Sequence, residues 1–222
     1  MAKMVRKVER AKAAGEDTLP TRELILDAAE RLFATHGIDG VAVRDLAREL
    51  GLTAPSLYNH FPSKQALYDA VLERGLRPIL DLIRESWRGG ELRPAETLDK
   101  LLQHLAQHPH LAQLLQRALL DENSGGAARL AKWLSPMYQE GVRVLGAAAE
   151  TAGWEREELP HLAMALFGMV FSYFTNLNAV RALAPRRQPL APQQIELQRR
   201  VLEKAVYRLL GPQGPTVRER KR

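Results

Sequence analysis

The sequence predicts an all-α protein, with an N-terminal three-helix domain that contains a helix-turn-helix and a larger helical domain after it. The chain of 222 residues is long enough for two hydrophobic cores. Ala, Leu, Arg, Gln and Glu, which favour helices, are abundant along the whole chain. No run of alternating β-branched residues is long enough to indicate a strand.

The composition is that of a soluble globular protein. Hydrophobic residues make up 45% of the chain and charged residues 26%, which is too apolar for global disorder. The absence of cysteine excludes disulfides, thiolate metal sites and a cysteine nucleophile. Residues 1–17 lack the apolar core of a secretory signal, so a cytoplasmic protein is expected. No cofactor is expected.

One segment is long enough and apolar enough to raise the question of a membrane span. Residues 159–180, 22 in number, carry no formal charge. They nevertheless include His161, Tyr173, Asn176 and Asn178. This polar content favours a helix buried inside the protein, and no membrane partner is expected.

The positive charge of the chain is unevenly distributed. The net charge is +6, yet residues 21–74 carry six basic and eight acidic side chains. Residues 1–20 form a predicted basic arm and residues 211–222 a basic tail, with one domain predicted over 21–75 and another over 76–210. The net charge indicates a polyanionic partner, and the alternative for the basic termini is that they are solvated tails. The arm's candidates for contact with such a partner are Lys3, Arg6, Lys7, Arg10 and Lys12.

Apolar spacing and glycine predict the first two helices. From Thr21 onward, apolar residues at positions 24, 25, 28, 29, 32 and 33 recur at intervals of three and four. This is one face of a helix that Thr21 caps and Gly37 closes. A second helix is predicted from Val43 to Leu50, and Gly51 is expected to end it in the left-handed conformation.

Capping residues and prolines predict the elements that follow. Thr53 can cap a short third helix, Pro55 falls within its first turn, and the helix is predicted to end near Phe61. Ser63 is expected to cap a fourth helix that Pro78 bends or breaks. Further helices are predicted over residues 97–108, 110–122, 127–152, 157–183 and 192–210.

Two short helices joined by a tight glycine turn are typical of a helix-turn-helix, whose second helix lies in the DNA major groove. Leu57 and Phe61 are expected to face inward. The side chains expected to face outward or along the flanks are Ala54, Ser56, Tyr58, Asn59 and His60. They include no Arg and no carboxylate, so base contacts through hydroxyl, amide, imidazole or methyl groups are expected, with phosphates bound by Arg44 and Lys64 on either side.

The sequence resembles, over residues 21–72, the N-terminal domain of the TetR family of bacterial regulators. The resemblance rests on ILDAAERLFATHG, DLARELGL and SLYNHFPSKQAL, in the family's order and spacing. It implies that Tyr58 and His60 contact phosphates and bases, that Lys64 binds the backbone and that Arg44 makes a groove or phosphate contact. Thr53 and Ser56 are further candidates. The alternatives are that Tyr58 packs on the core and that His60 is only a surface residue.

One part of the helix-turn-helix departs from the family's pattern. The family often has Thr or Ser just before the second helix, where this chain reads Val41-Ala42-Val43. A hydroxyl cap and a phosphate contact are therefore expected to be missing at this point.

Beyond residue 78 the resemblance is one of architecture, which implies a homodimer and an effector-binding, dimerisation domain. The apolar segment 162–174 and the last helix are expected to form a seam with a second subunit. In the last helix the predicted seam residues are Leu197, Val201, Leu202, Ala205, Val206 and Leu209. Candidate pocket residues, each with core packing as the alternative, are Trp133, Met137, Tyr138, Phe167, Met169, Phe171, Phe174 and Asn178.

The resemblance thus implies a repressor that releases double-stranded operator DNA when a small hydrophobic effector binds: an acyl chain, an acyl-CoA or a drug-like compound. A metal site at His104, His108 and His110 is disfavoured because no further ligand lies nearby and Pro109 interrupts the helix. An enzyme is disfavoured because no nucleophile motif, phosphate loop or paired carboxylate is present. A ligand-independent architectural or partner-binding protein remains open.

Overall fold

The structure, a computed structural model, describes residues 19–88, 91–92, 94–120, 126–149 and 152–211. Nearly all of the predicted basic arm and tail lies outside these residues. Within them the chain is all-α, as predicted, apart from one short hairpin. The chain divides into two compact units, Met1–Leu76 with His110–Leu130, and Arg77–Pro109 with Ala131–Arg222. The sequence predicted a single domain boundary near residue 75. It did not predict that residues 110–130 would belong to the first unit.

The helices and the hairpin follow one another in this order: α1 (Leu19–His36), α2 (Val43–Glu49), α3 (Ala54–His60), α4 (Lys64–Ser86), β1 (Trp87–Arg88), β2 (Glu91–Leu92), α5 (Pro94–Gln107), α6 (Leu111–Leu120), α7 (Gly126–Ala149), α8 (Leu159–Thr175), α9 (Leu177–Leu183) and α10 (Pro192–Leu210). The two strands pair antiparallel, with Trp87 opposite Leu92.

The core of the first unit forms around α1. This helix packs against α2 and α6, and α2 packs against α3. The rings of Phe33 and Tyr68 meet edge to face, with centroids 5.2 Å apart, which joins α1 to the first part of α4. Fully buried side chains from each of the N-terminal helices fill this core: Ile25, Phe33, Leu46, Leu57, Leu67 and Leu72.

Two glycines end the first two helices as the sequence predicted. Gly37 follows α1 with φ +73°, and Gly51 follows α2 with φ +65°. Residues other than glycine rarely adopt this left-handed backbone conformation, so glycine allows the chain to reverse direction at both places. At the second, the backbone N–H of Leu52 donates to the carbonyl of Ala47 at 2.9 Å, which closes the turn before α3.

In the second unit α10 packs against α5, and α8 contacts both helices. Their buried faces include Leu102, Leu105, Phe174, Leu202 and Val206. The indole N–H of Trp154 donates to the carbonyl of Leu209 at 2.6 Å, which satisfies a carbonyl at the end of α10. The Tyr173 hydroxyl donates to the carbonyl of Pro189 at 2.8 Å, and burial raises the pKa of that hydroxyl.

The structure corrects several predicted boundaries. Helix α1 begins at Leu19, two residues before the predicted Thr21 cap, and α5 begins at Pro94 instead of residue 97. Pro78 does not end the fourth helix, since α4 continues to Ser86. The helix predicted over 157–183 is two helices, which meet at Asn176.

The described residues contain an apolar helix pair and two neighbouring histidine rings, which bear on membrane crossing and metal binding. No single helix among them has the length and apolar character needed to cross a membrane; α8 and α9 meet that criterion only as a pair, bent by 63°. No three His, Asp, Glu or Cys side chains of the described chain come together as metal ligands. The rings of His104 and His108 lie 4.8 Å apart.

Candidate DNA-binding site

The second helix of the helix-turn-helix, α3, begins at a hydroxyl cap. The Thr53 hydroxyl oxygen accepts the backbone N–H of Ser56 at 3.2 Å and lies 3.1 Å from the Ser56 hydroxyl. Pro55 stands in the first turn, where its missing N–H loses no helical bond. Thr53 thus acts as the N-cap that the sequence predicted.

One face of α3 is buried and the other is available. Leu57 and Phe61 are buried, as predicted, and anchor the helix to the core. Tyr58 is 45% exposed, although aromatic side chains are usually covered in a stable fold. Of the other candidates for DNA contact, Thr53 and Asn59 are exposed, whereas Ala54, Ser56 and His60 are half-buried.

The two flanking cations lie at the start of α2 and of α4. Arg44, in the first turn of α2, is exposed. Lys64 is the first residue of α4, and its Nζ donates to the carbonyl of Val41 at 3.3 Å. That bond places the ammonium group beside the residues that precede α2. Both cations therefore lie near the N-terminus of α2.

The start of α2 has no hydroxyl cap. Its N-cap is Ala42, whose side chain makes no capping hydrogen bond. The backbone N–H of Asp45 instead donates to the Ala42 carbonyl at 3.0 Å. This agrees with the departure from the family's pattern at Val41-Ala42-Val43.

Ion pairs hold α2 and α4 against α1. Arg31 of α1 pairs with Glu49 at the end of α2. Arg74 of α4 binds carboxylates along α1, at 3.2 Å to Glu23, 2.8 Å to Asp27 and 2.8 Å to Glu30. Burial opposes the charge on Arg74, but its hydrogen bonds to Glu30 and Asp27 and the charges of those residues outweigh it and raise the pKa.

Helix α6 closes the other end of α1. The Arg117 Nη1 donates to the carbonyl of Thr35 at 2.8 Å, so it satisfies one of the last carbonyls of α1. Nearby, Gly75 of α4 lies against Leu111 of α6 so closely that a Cβ there would stand 2.5 Å from a Leu111 methyl carbon. The frame of the helix-turn-helix therefore includes α6, a helix that the sequence assigned to the second domain.

Sequence reasoning missed Arg22 as a neighbour of α3. Its guanidinium carbon lies 5.0 Å from the centroid of the Phe61 ring. The two residues are far apart in the chain and share no motif or helical spacing, so no local pattern in the sequence indicates the contact.

The predicted pocket and seam residues of the second unit are distributed between core and surface. Met137, Phe171 and Phe174 are buried, Trp133 and Phe167 half-buried, and Tyr138 and Asn178 exposed. The rings of Phe167 and Phe171 stack 4.1 Å apart. In α10, Leu197 and Val201 are exposed and Ala205 and Leu209 half-buried, whereas Leu202 and Val206 face the core of their own subunit.

Comparison with known proteins places this site in a family. Residues 25–71 match the family model described as bacterial regulatory proteins, tetR family. The tetracycline repressor protein class D of Escherichia coli is 42% identical over 71 residues, which cover 30% of this chain and 33% of the repressor. Residues 25–71 form a TetR-family domain. The matched residues run from α1 into α4 and include α2 and α3 completely.

Other TetR-family proteins resemble this one over different extents. The HTH-type transcriptional repressor KstR2 of Rhodococcus jostii is 37% identical over 81 residues, which cover 36% of this chain and 39% of that repressor. The matches to these curated relatives thus span only about a third of their length. A TetR-family bacterial regulatory protein from Rhodococcus RHA1 shares the fold over 86% of this chain and 98% of its own, with TM-score 0.62 and 19% identity.

Proposed function

We propose that this TetR-family protein binds operator DNA as a homodimer and represses transcription until a small hydrophobic effector binds its second unit. The observation that carries the DNA-binding part is the geometry of α3. This helix is fixed by the buried Leu57 and Phe61 and presents Tyr58 and Asn59 to solvent, and two cations, Arg44 and Lys64, lie near the start of the preceding helix α2. Such an arrangement suits base contacts from the helix and phosphate contacts on its flanks.

The test of DNA binding starts from a random duplex library, since selection with the purified protein yields its preferred sequence. We expect Tyr58→Ala and Lys64→Ala to weaken binding to the selected duplex at least tenfold in fluorescence anisotropy. Lys100→Ala is the matched control, because Lys100 is an exposed lysine of α5 that pairs with Glu96. Failure of the wild-type protein to enrich any sequence contradicts the proposal.

The proposed dimer rests on apolar side chains that α8 and α10 expose. Met164 of α8 is 57% exposed, and Leu197 and Val201 of α10 are 48% and 62% exposed. The two helices pack together in one unit, so their exposed side chains can form one surface. A second copy of the chain would cover it as a four-helix seam.

Sedimentation equilibrium tests the dimer. The wild-type protein is expected to have twice the chain mass, and Leu197→Asp with Val201→Asp to have the mass of one chain, because a buried charge opposes association. The control is Leu120→Asp in α6, where the leucine is 74% exposed. A dimer that survives both substitutions in α10 contradicts this surface.

The effector part of the proposal rests on the aromatic and thioether side chains of the second unit. Phe167 stacks on Phe171, and the Trp133 indole N–H is buried without a hydrogen-bond partner among the described residues. A ligand with an apolar body and a hydrogen-bond acceptor suits such a lining. Native mass spectrometry of the purified protein should detect a bound hydrophobe, which lowers DNA affinity when added back. Unaltered DNA affinity supports a ligand-independent protein instead.

A further inference from the structure

The cations of the helix-turn-helix segment differ in what neutralises them. Residues 21–74 contain six, and three are bound to carboxylates of the same unit. Arg31 pairs with Glu49, Arg48 lies 2.5 Å from Asp45, and Arg74 binds Glu23, Asp27 and Glu30. The pairs of Arg31 and Arg74 join α1 to α2 and α4 and support the fold, whereas the short pair of Arg48 with Asp45 is exposed and lies within α2. The other three cations are Arg22, Arg44 and Lys64.

Arg22 is only weakly compensated. Its Nη1 lies 3.7 Å from the carboxylate of Glu23, and both side chains are about half exposed. Glu23 also binds Arg74 at the shorter distance of 3.2 Å. An exposed pair of this length contributes little, because water screens it and competes for both groups. The charge of Arg22 is therefore available to a further partner.

The position of Arg22 is fixed by an aromatic ring. Its guanidinium carbon lies 5.0 Å from the centroid of Phe61, and Phe61 is the buried C-cap residue of α3. Attraction between a guanidinium group and the face of a ring occupies no oxygen acceptor, so the N–H donors can still bind oxygen atoms. Phe61 thus holds the exposed Arg22 beside the end of α3 without using the hydrogen-bond donors of the guanidinium group.

We infer that Arg22 binds a phosphate of the DNA backbone beside the C-terminal end of α3, and that Phe61 orients it for this contact. The inference rests on the proposed function, in which α3 lies in the major groove. A helix about 10–12 Å across nearly fills a groove about 12 Å wide. A cation next to the end of that helix therefore meets the phosphates that border the groove, and the guanidinium fork matches two phosphate oxygens.

The salt dependence of binding to a fluorescein-labelled duplex of mixed sequence tests this role, because a phosphate contact needs no particular base. Each phosphate contact contributes about 0.9 to the slope of log K against log [NaCl]. For two heads of a dimer, Arg22→Gln should reduce the slope by about 1.8. Raising NaCl from about 50 to about 200 mM then weakens the variant about tenfold less than the wild-type protein.

Two further variants separate charge, geometry and folding. Arg22→Lys should keep the wild-type slope, since the charge remains, but bind more weakly because the fork and its stacking are lost. Arg187→Gln, at an exposed arginine of the second unit, should change neither affinity nor slope. Thermal melting of each variant by circular dichroism identifies the fraction that is folded.

The possible results lead to different conclusions. A slope for Arg22→Gln equal to that of the wild-type protein overturns the inference, whether or not affinity changes, because the residue then acts only through the fold. Absence of salt-dependent binding by the wild-type protein instead contradicts the proposed function itself. A reduced slope in Arg22→Gln together with an unchanged slope in Arg22→Lys supports the phosphate contact.

Discussion

At the scale of single residues, the proposed site depends on side chains whose neighbours lie far away in sequence. Tyr58, Asn59 and Lys64 could be predicted because the α2-turn-α3 pattern is local and its glycine and caps are visible in the sequence. Arg22 and Arg74 could not, because their roles come from Phe61 and from three carboxylates on α1. The sequence indicates which residues are charged, but only the tertiary contacts separate structural cations from available ones.

Arg74→Ala should destabilise the first unit strongly. Glu30 is nearly inaccessible, with 5% of its side chain exposed, so the substitution removes the guanidinium that neutralises a buried carboxylate. Breaking such a pair costs about 3 kcal/mol of the free energy of unfolding. Glu23→Gln, which weakens only an exposed part of the same cluster, should cost less than about 1 kcal/mol. Urea unfolding measures both, and equal effects would show that burial of Glu30 is unimportant.

Glu196 should titrate well below an ordinary glutamate. Hydrogen bonds from Arg199, at 2.7 Å, and Arg200, at 2.8 Å, lower its pKa to about 2. The folded chain keeps this carboxylate charged between pH 4.5, its ordinary value, and about 2, whereas the unfolded chain protonates it. Its contribution to stability is thus complete above pH 4.5 and is lost as the pH falls to about 2.

Carbon-13 NMR of the Glu196 carboxyl group measures this titration directly. Arg199→Gln is expected to raise the midpoint toward 4.5, because it removes the largest cause of the shift. Glu196→Gln should make the free energy of unfolding less dependent on pH between 4.5 and 2. A midpoint near 4.5 in the wild-type protein would mean that these surface pairs do not persist in solution.

At the scale of elements, prediction succeeded where local chemistry decides and failed where packing does. Gly37 and Gly51 end α1 and α2 because their backbone is left-handed. Pro78 was expected to bend or break α4, yet the helix continues past it to Ser86, with Ile79 and Leu80 buried. Burying two such side chains stabilises the helix by about 3–6 kcal/mol, which offsets the cost of about 3 kcal/mol for an internal proline.

The break between α8 and α9 also lacks a signal in the sequence. The backbone N–H of Asn176 donates to the Ser172 carbonyl at 3.1 Å, and its side-chain Nδ2 donates to the same oxygen at 2.8 Å. An asparagine side chain that competes for a helical carbonyl favours a helix end. An asparagine ends a helix in this way only in some surroundings, so its presence alone does not predict a break. The uncharged run has no Gly or Pro at this point, and the sequence therefore predicted one continuous helix.

The close contact between α4 and α6 predicts that substitutions in the two helices have non-additive effects on stability. Gly75→Ala would place a Cβ 2.5 Å from a methyl carbon of Leu111, and Leu111 is buried, so it has little room to move. Overpacking of this kind costs about 1–3 kcal/mol. In the background Leu111→Ala the same substitution should cost much less. Additive effects in this double-mutant cycle, measured by urea unfolding, would show that the two helices are not in tight contact.

At the scale of the whole molecule, charge and site do not coincide. The chain carries +6, but residues 21–74 have two more acidic than basic side chains. Half of the cations in that segment are in ion pairs: Arg31 and Arg74 join helices to α1, and Arg48 pairs within α2. The proposed DNA-binding site therefore has few cations of its own, and we propose that other parts of the chain add to the electrostatic attraction to DNA.

Deletion of residues 1–18 is accordingly expected to weaken DNA binding and reduce its salt dependence. This segment contains five basic and three acidic side chains, and each basic side chain that neutralises a phosphate adds about 0.9 to the slope. Replacing its five basic residues by Gln in the full chain should reproduce the effect, since it removes charge and keeps length. The matched control removes residues 212–222, which carry four basic side chains and one acidic one. If that deletion lowers the slope equally, net charge is responsible and the arm has no specific role; if neither deletion lowers it, the cations beside α3 supply all the phosphate contacts.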